Sequence, residues 1–138
     1  MGDFDILLKL FLAVVFGGLI GWEREIHGRA AGLRTHILVS LGSALIMLTS
    51  LYIFDTYSKE VHIDPFRIAA QVVSGIGFLG AGTIIRSRAS IKGLTTAASL
   101  WSTAGIGLAI GVGFYKGAIA ATALVLISLL LLRGLKTI

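Results

Sequence analysis

Charge is missing from three long stretches of this chain, residues 37–54, 68–85 and 93–115, and each is filled largely with Leu, Ile, Val, Ala and Gly. An α-helix needs about 20 mostly apolar residues to cross the hydrocarbon of a bilayer, so each stretch predicts a transmembrane helix. Two further stretches are weaker. Residues 6–22 contain Lys9, four positions after Asp5, a spacing that lets the pair meet on one helical face near the membrane boundary. Residues 117–132 are short and leucine-rich. The pattern predicts an all-α integral membrane bundle of five transmembrane helices, a single domain over residues 1–138 with no room for a separate soluble one.

Small residues order these helices. Lipid supplies no hydrophobic drive for association, so Gly and Ala mark where backbones approach and gain dispersion contacts. In the third helix Gly75 and Gly82 share one face while Gly77 and Gly80 lie opposite. The fourth repeats this, with Gly105, Ala109 and Gly113 on one side and Gly107 and Gly111 on the other. The first has a single stripe of Ala13, Gly17 and Gly21. Helices three and four are therefore expected at the centre, and Leu in place of Gly77 or Gly107 is expected to damage assembly. Gly75, Gly77 and Gly80 also match G-x-G-x-x-G, but inside an apolar helix and with no acidic residue after Asp64, which excludes the dinucleotide turn.

A composition of 56% hydrophobic and 14% charged residues makes lipid, not water, the expected solvent. The 12 cations and 7 acids, a net charge of +5, are distributed unevenly. Given five crossings, Arg24, Arg29, Arg34, Arg86, Arg88, Lys92, Arg133 and Lys136 fall on one side; only Lys9, Lys59, Arg67 and Lys116 fall on the other. Basic loops stay in the cytoplasm, so the expected topology is an outside amino terminus and a cytoplasmic carboxyl terminus. Cations beside apolar spans point to anionic lipid headgroups rather than nucleic acid. Asp3 and Asp5 precede the first apolar run and no small-residue cleavage pattern follows, so that segment is expected to be retained. Absence of cysteine excludes disulfides and thiol chemistry. Asp64 before Pro65 reads as a helix start with a structural role, and the short link at residues 115–117 as an antiparallel hairpin.

Candidate chemistry is sparse. Glu23, Arg24 and Glu25 sit where the first helix leaves the membrane, followed by Arg29 and Arg34. The two glutamates are a candidate Mg2+ site, since that hard cation takes carboxylate oxygen; as two carboxylates make an incomplete cage, pairing with Arg24 and Arg34 is the favoured reading. Arg67, Gln71 and Ser74 form a polar stripe on the third helix that must avoid lipid, as interhelical glue or as a cavity lining. Arg86, Thr95 and Thr96 are expected at the opposite end, as anchors or as donors to a headgroup or partner carboxylate. Trp22 suits an interfacial belt and Trp101 a position between helices. His27, His36 and His62 are dispersed, interfacial or hydrogen-bonded, and serine in an apolar helix shows no base beside it, so no enzyme is expected.

Two blocks, GGLIGWEREIHGRAAGLRTHILVSLGSAL from Gly17 and RIAAQVVSGIGFLGAGTIIR with GLTTAASLW between Asp64 and Tyr115, resemble the MgtC/SapB family of bacterial inner-membrane proteins. The resemblance implies a role in adaptation to low magnesium and, in some members, survival inside host cells and restraint of the ATP synthase. It is closer to the short SapB- or YhiD-like form than to members with a soluble carboxyl-terminal domain. Two functions follow. A regulatory protein would act by contact with another membrane complex; a Mg2+ or other cation transporter would need a polar path, yet helices two to five offer no interior carboxylate. The regulatory reading is preferred, with a homodimer expected because two central helices with small faces have few internal partners.

Overall fold

The computed structural model describes residues 2–135, which leaves Lys136 outside the described residues. Five helices run α1 (Asp3–Ile26), α2 (Leu33–Tyr57), α3 (Arg67–Ala81), α4 (Leu94–Val112) and α5 (Tyr115–Leu131). Helices α1, α2 and α4 are long and apolar enough to cross a membrane, while α3 and α5 are shorter apolar helices of 15 and 17 residues. A two-stranded antiparallel hairpin, β1 (Ile85–Ser87) with β2 (Ser90–Lys92), joins α3 to α4.

Glycine stops two helices in the same way. After α1, Gly28 turns left-handed (φ 65°), its N–H bonding the Glu25 carbonyl and that of Arg29 the Arg24 carbonyl. After α4, Gly113 (φ 87°) and Phe114 do the same with Ile110 and Ala109. Both are Schellman closures, which satisfy orphan carbonyls at a position a side chain would strain. The turn between α4 and α5 therefore falls at residues 113–114, and Tyr115 to Gly117 belong to α5. Lys9 is buried beside this turn, pairs with Asp5 at 3.1 Å as its spacing predicted, and places its ammonium against the negative pole of α4.

Helix α4 is central and touches all four other helices, but its main partner is α2 rather than α3. A Cβ on Gly107 would overlap the Ser40 carbonyl, and one on Gly111 would lie 2.7 Å from the Met47 Cβ. On the same face of α2, a Cβ on Gly17 would lie 2.7 Å from the Ser40 Cβ, and one on Gly21 2.9 Å from the Leu33 Cα. Thus one face of α2 packs against both α1 and α4, which also touch each other, and Ala13, Ile20, Ala44, Ile106, Ile110 and Ala118 form the core.

Helix α3 lies at the edge, against α4 and α2. Gly80 faces Ala97 at 3.5 Å, but Gly75 and Gly77, like Gly105 of α4, have nothing within 4 Å, and Gly82 meets only its own helix. The expectation of a central third helix is corrected by a property of α2: its contact surface is made of Ser40, Ser43 and Ala44, residues as narrow as the glycines that were counted. α3 also ends earlier than residue 85. Thr83 returns its hydroxyl to the Gly80 carbonyl at 2.7 Å, and the β-branched run Thr83, Ile84, Ile85 enters the hairpin. Gly93 (φ 91°) closes that hairpin so tightly that a Cβ would overlap the Thr83 carbonyl. Asp64 does take a structural role, accepting the Phe66 N–H at 2.9 Å just before α3.

Gly107→Leu is expected to cost about 3 kcal/mol through overpacking against α2, whereas Gly77→Leu, facing open space, is expected to stay within about 0.5 kcal/mol of the parent. Thermal unfolding in detergent, read by tryptophan fluorescence, separates the two.

Candidate functional site

The close approach at Gly21 brings the last turns of α1 beside the first turns of α2, and α4 completes the same end of the bundle. The side chains meeting there are polar and buried: Glu23 and Arg24 from α1, His36 and Ser40 from α2, Thr96, Ser99 and Thr103 from α4. Arg24 Nη2 donates to Thr96 Oγ1 at 3.1 Å. His36 is fully enclosed; its Nδ1 lies 2.9 Å from the Gly32 carbonyl and its Nε2 2.9 Å from Ser99 Oγ. A carbonyl only accepts, so Nδ1 carries a proton.

Ser99 has one hydroxyl hydrogen and two acceptors within reach, His36 Nε2 and the Thr96 carbonyl at 2.9 Å. With neutral His36 the hydroxyl donates to Nε2. With protonated His36 the imidazolium donates to Ser99, which then donates to Thr96. Proton and hydroxyl orientation are coupled, and both arrangements link α2 to α4. Thr103 donates to the Ser99 carbonyl at 2.7 Å, which keeps its hydroxyl within α4.

Glu23 lies 3.0 Å from His27 Nδ1 through Oε1 and 3.9 Å from Arg24 through Oε2, and the Arg133 guanidinium meets the other ring nitrogen of His27. Among the described residues, buried Glu23 Oε2, Arg24 Nε and Ser40 Oγ have no hydrogen-bond partner. Three orphans in one cluster are unusual, since buried polar atoms are normally satisfied.

Of the residues singled out in the sequence, the structure brings Glu23, Arg24 and Thr96 together at one end. It separates the rest. Glu25 turns away, and its Oε1 accepts the Leu33 N–H at 3.0 Å, capping α2 across space that Gly32 leaves open. The two glutamates thus engage different groups, and among the described residues no set of three His, Asp or Glu side chains is arranged to hold a metal. Arg34 is exposed; Arg86 sits exposed on β1 rather than ending α3. Arg67, Gln71 and Ser74 are exposed on α3, Gln71 lining a groove of about 610 Å³ against α2. Trp101 is 57% exposed along a groove between α3 and α5 instead of packing between helices, and Trp22 is exposed as a belt residue would be.

His36, Ser40, Ser99 and Thr103 were missed as a group. Their signal is spacing: His36 and Ser40 share a helical face, as do Thr96, Ser99 and Thr103. The base that Ser99 lacked in one dimension is His36, 63 positions away.

The family model described as the MgtC family matches residues 10–138. The chain belongs to the MgtC family. It is 49% identical over 127 residues to YhiD of Escherichia coli (strain K12), whose name provisionally describes a magnesium transporter; the match covers 91% of the chain and 59% of YhiD. To the protein MgtC of Salmonella typhimurium (strain LT2) it is 49% identical over 130 residues, 94% of the chain and 53% of that protein. To SapB of Bacillus subtilis (strain 168) it is 46% identical, over 91% of the chain and 56% of SapB. The chain thus spans between half and three-fifths of each relative, and these similar shares do not set it beside a shorter form. No solved structure matches it at a significant level. Together the family and the apolar helices make this a membrane protein of the MgtC family.

Within this MgtC-family bundle, Ser99→Ala is expected to leave His36 Nε2 buried without a partner and cost about 1–3 kcal/mol, while Arg34→Ala on the surface changes stability by less than about 0.5 kcal/mol. Paired thermal melts in one detergent test this.

Proposed function

We propose that this chain is a non-enzymatic regulatory membrane protein of low-magnesium adaptation that acts by contact with another membrane complex, the ATP synthase being the partner that its family suggests. The observation carrying this reading is a filled centre. Beyond the polar cluster, the space shared by α1, α2 and α4 is taken by Ile20, Ala44, Ile106 and Ile110, each at most 3% exposed, and dry aliphatic packing is a poor medium for a cation. The grooves instead open sideways, between α2 and α3 and between α3, α4 and α5, where another helix has room to dock. His36 spends Nδ1 on a carbonyl and lies wholly inside the bundle with Ser99, which favours a structural over a nucleophilic pair.

We place the basic end, with Arg24, Arg29 and Arg133, in the cytoplasm and the amino terminus outside, on the excess of cations there. A homodimer is the natural answer to α3, whose Arg67, Gln71 and Ser74 point out of the single chain and are costly in lipid.

One observation favours Mg2+ or other cation transport as the second reading: Glu23 Oε2 and Ser40 Oγ are buried without partners among the described residues, as groups awaiting a cation or water would be. Proteoliposomes containing an entrapped Mg2+ indicator decide between them. The regulatory reading predicts influx equal to that of protein-free vesicles; saturable influx abolished by Glu23→Gln would overturn it.

A further inference from the structure

A cleft of about 910 Å³ opens at the basic end, between the start of α4, the second half of α5 and the last turn of α1. Its two halves differ chemically. The mouth carries Arg24, Arg29 and Arg133, and Thr95 from the first turn of α4. That helix begins at a glycine with no side-chain cap, so the positive pole of its dipole is unopposed there. Leu124, Val125 and Leu129 of α5 line the inner wall.

Arg24 makes this more than a helix end. It is 4% exposed, its Nη2 is held by Thr96, and its Nε is buried with no partner among the described residues while the side chain lines the cleft. A guanidinium kept out of water with a donor unused is poised for an anion, and its planar fork suits phosphate oxygens. Glu23, the nearest carboxylate, stands 3.9 Å away and is engaged by His27, so it offsets only part of the positive charge of three arginines.

We propose that this cleft binds one anionic phospholipid, its phosphate on Arg24, Arg29 and Arg133 at the mouth of the cleft and an acyl chain along the α5 wall. Positive mouth and apolar wall together select the occupant: free phosphate has nothing to place against leucine, and a zwitterionic lipid carries no net charge for the arginines. The volume falls within the range of ordinary small-molecule sites. The occupant would also brace α5 against α4 and α1. This assignment does not depend on whether the bundle regulates or transports.

The test uses the full chain, delipidated in detergent and titrated with dioleoylphosphatidylglycerol, dioleoylphosphatidylcholine or inorganic phosphate, with bound molecules counted by native mass spectrometry. One phosphatidylglycerol is expected to bind at least tenfold tighter than phosphatidylcholine, and millimolar phosphate is expected not to displace it. Arg29→Gln with Arg133→Gln, both on exposed residues, is expected to weaken binding tenfold or more. Val125→Phe, which fills the wall, should do likewise with all charges intact. Arg86→Gln with Arg88→Gln on the hairpin removes the same charge elsewhere and should leave binding unchanged. Equal loss from the hairpin pair, equal binding of phosphatidylcholine, or displacement by phosphate alone would overturn the proposal. So would full binding in the Val125→Phe chain.

Discussion

The contact on which the rest depends is the one Gly17, Gly21, Gly107 and Gly111 permit: one face of α2 pressed against both α1 and α4, at distances that leave no room for a Cβ. In lipid this closeness is the main source of association, because apolar side chains gain nothing by leaving acyl tails for each other. Dispersion contacts are individually about 0.1–0.2 kcal/mol and fade within an ångström, so helices held by them must touch closely or not at all.

The polar cluster is a consequence of that contact. Arg24 reaches Thr96, and His36 reaches Ser99, because the three backbones converge at one end. Moving α2 outward by the width of one methyl group would strand the His36 imidazole away from Ser99 in a medium with no water to receive it, and a stranded polar group costs several kcal/mol in hydrocarbon. Hydrogen bonding and packing therefore enforce each other. Among the described residues, the unpartnered atoms of Glu23, Arg24 and Ser40 lie where this arrangement stops being self-sufficient.

Much of the architecture was legible because apolar length and charge segregation are one-dimensional properties. Five helices, the Asp5–Lys9 pair and the burial of the Ala13, Gly17, Gly21 stripe all follow from spacing along one element. Neighbour choice does not. Gly77 and Gly107 look alike in the sequence, yet one faces open space and the other a serine backbone; the difference lies in α2, where Ser40, Ser43 and Ala44 are small without being glycine. The hairpin was hidden for a related reason, since Ile84 and Ile85 extend an apolar run that Thr83 has already ended. Of the site, single residues were visible and the constellation was not, as Arg24 and Thr96 are 72 positions apart.

The most direct test of the close packing of α2 against α1 and α4 is solid-state NMR on the isotopically labelled chain in lipid bilayers. Dipolar contacts should connect the His36 imidazole to Ser99 on α4 and Ser40 to both Gly17 of α1 and Gly107 of α4. Finding the His36 ring correlated with water, and Ser40 correlated with α3 instead of Gly107, would contradict it.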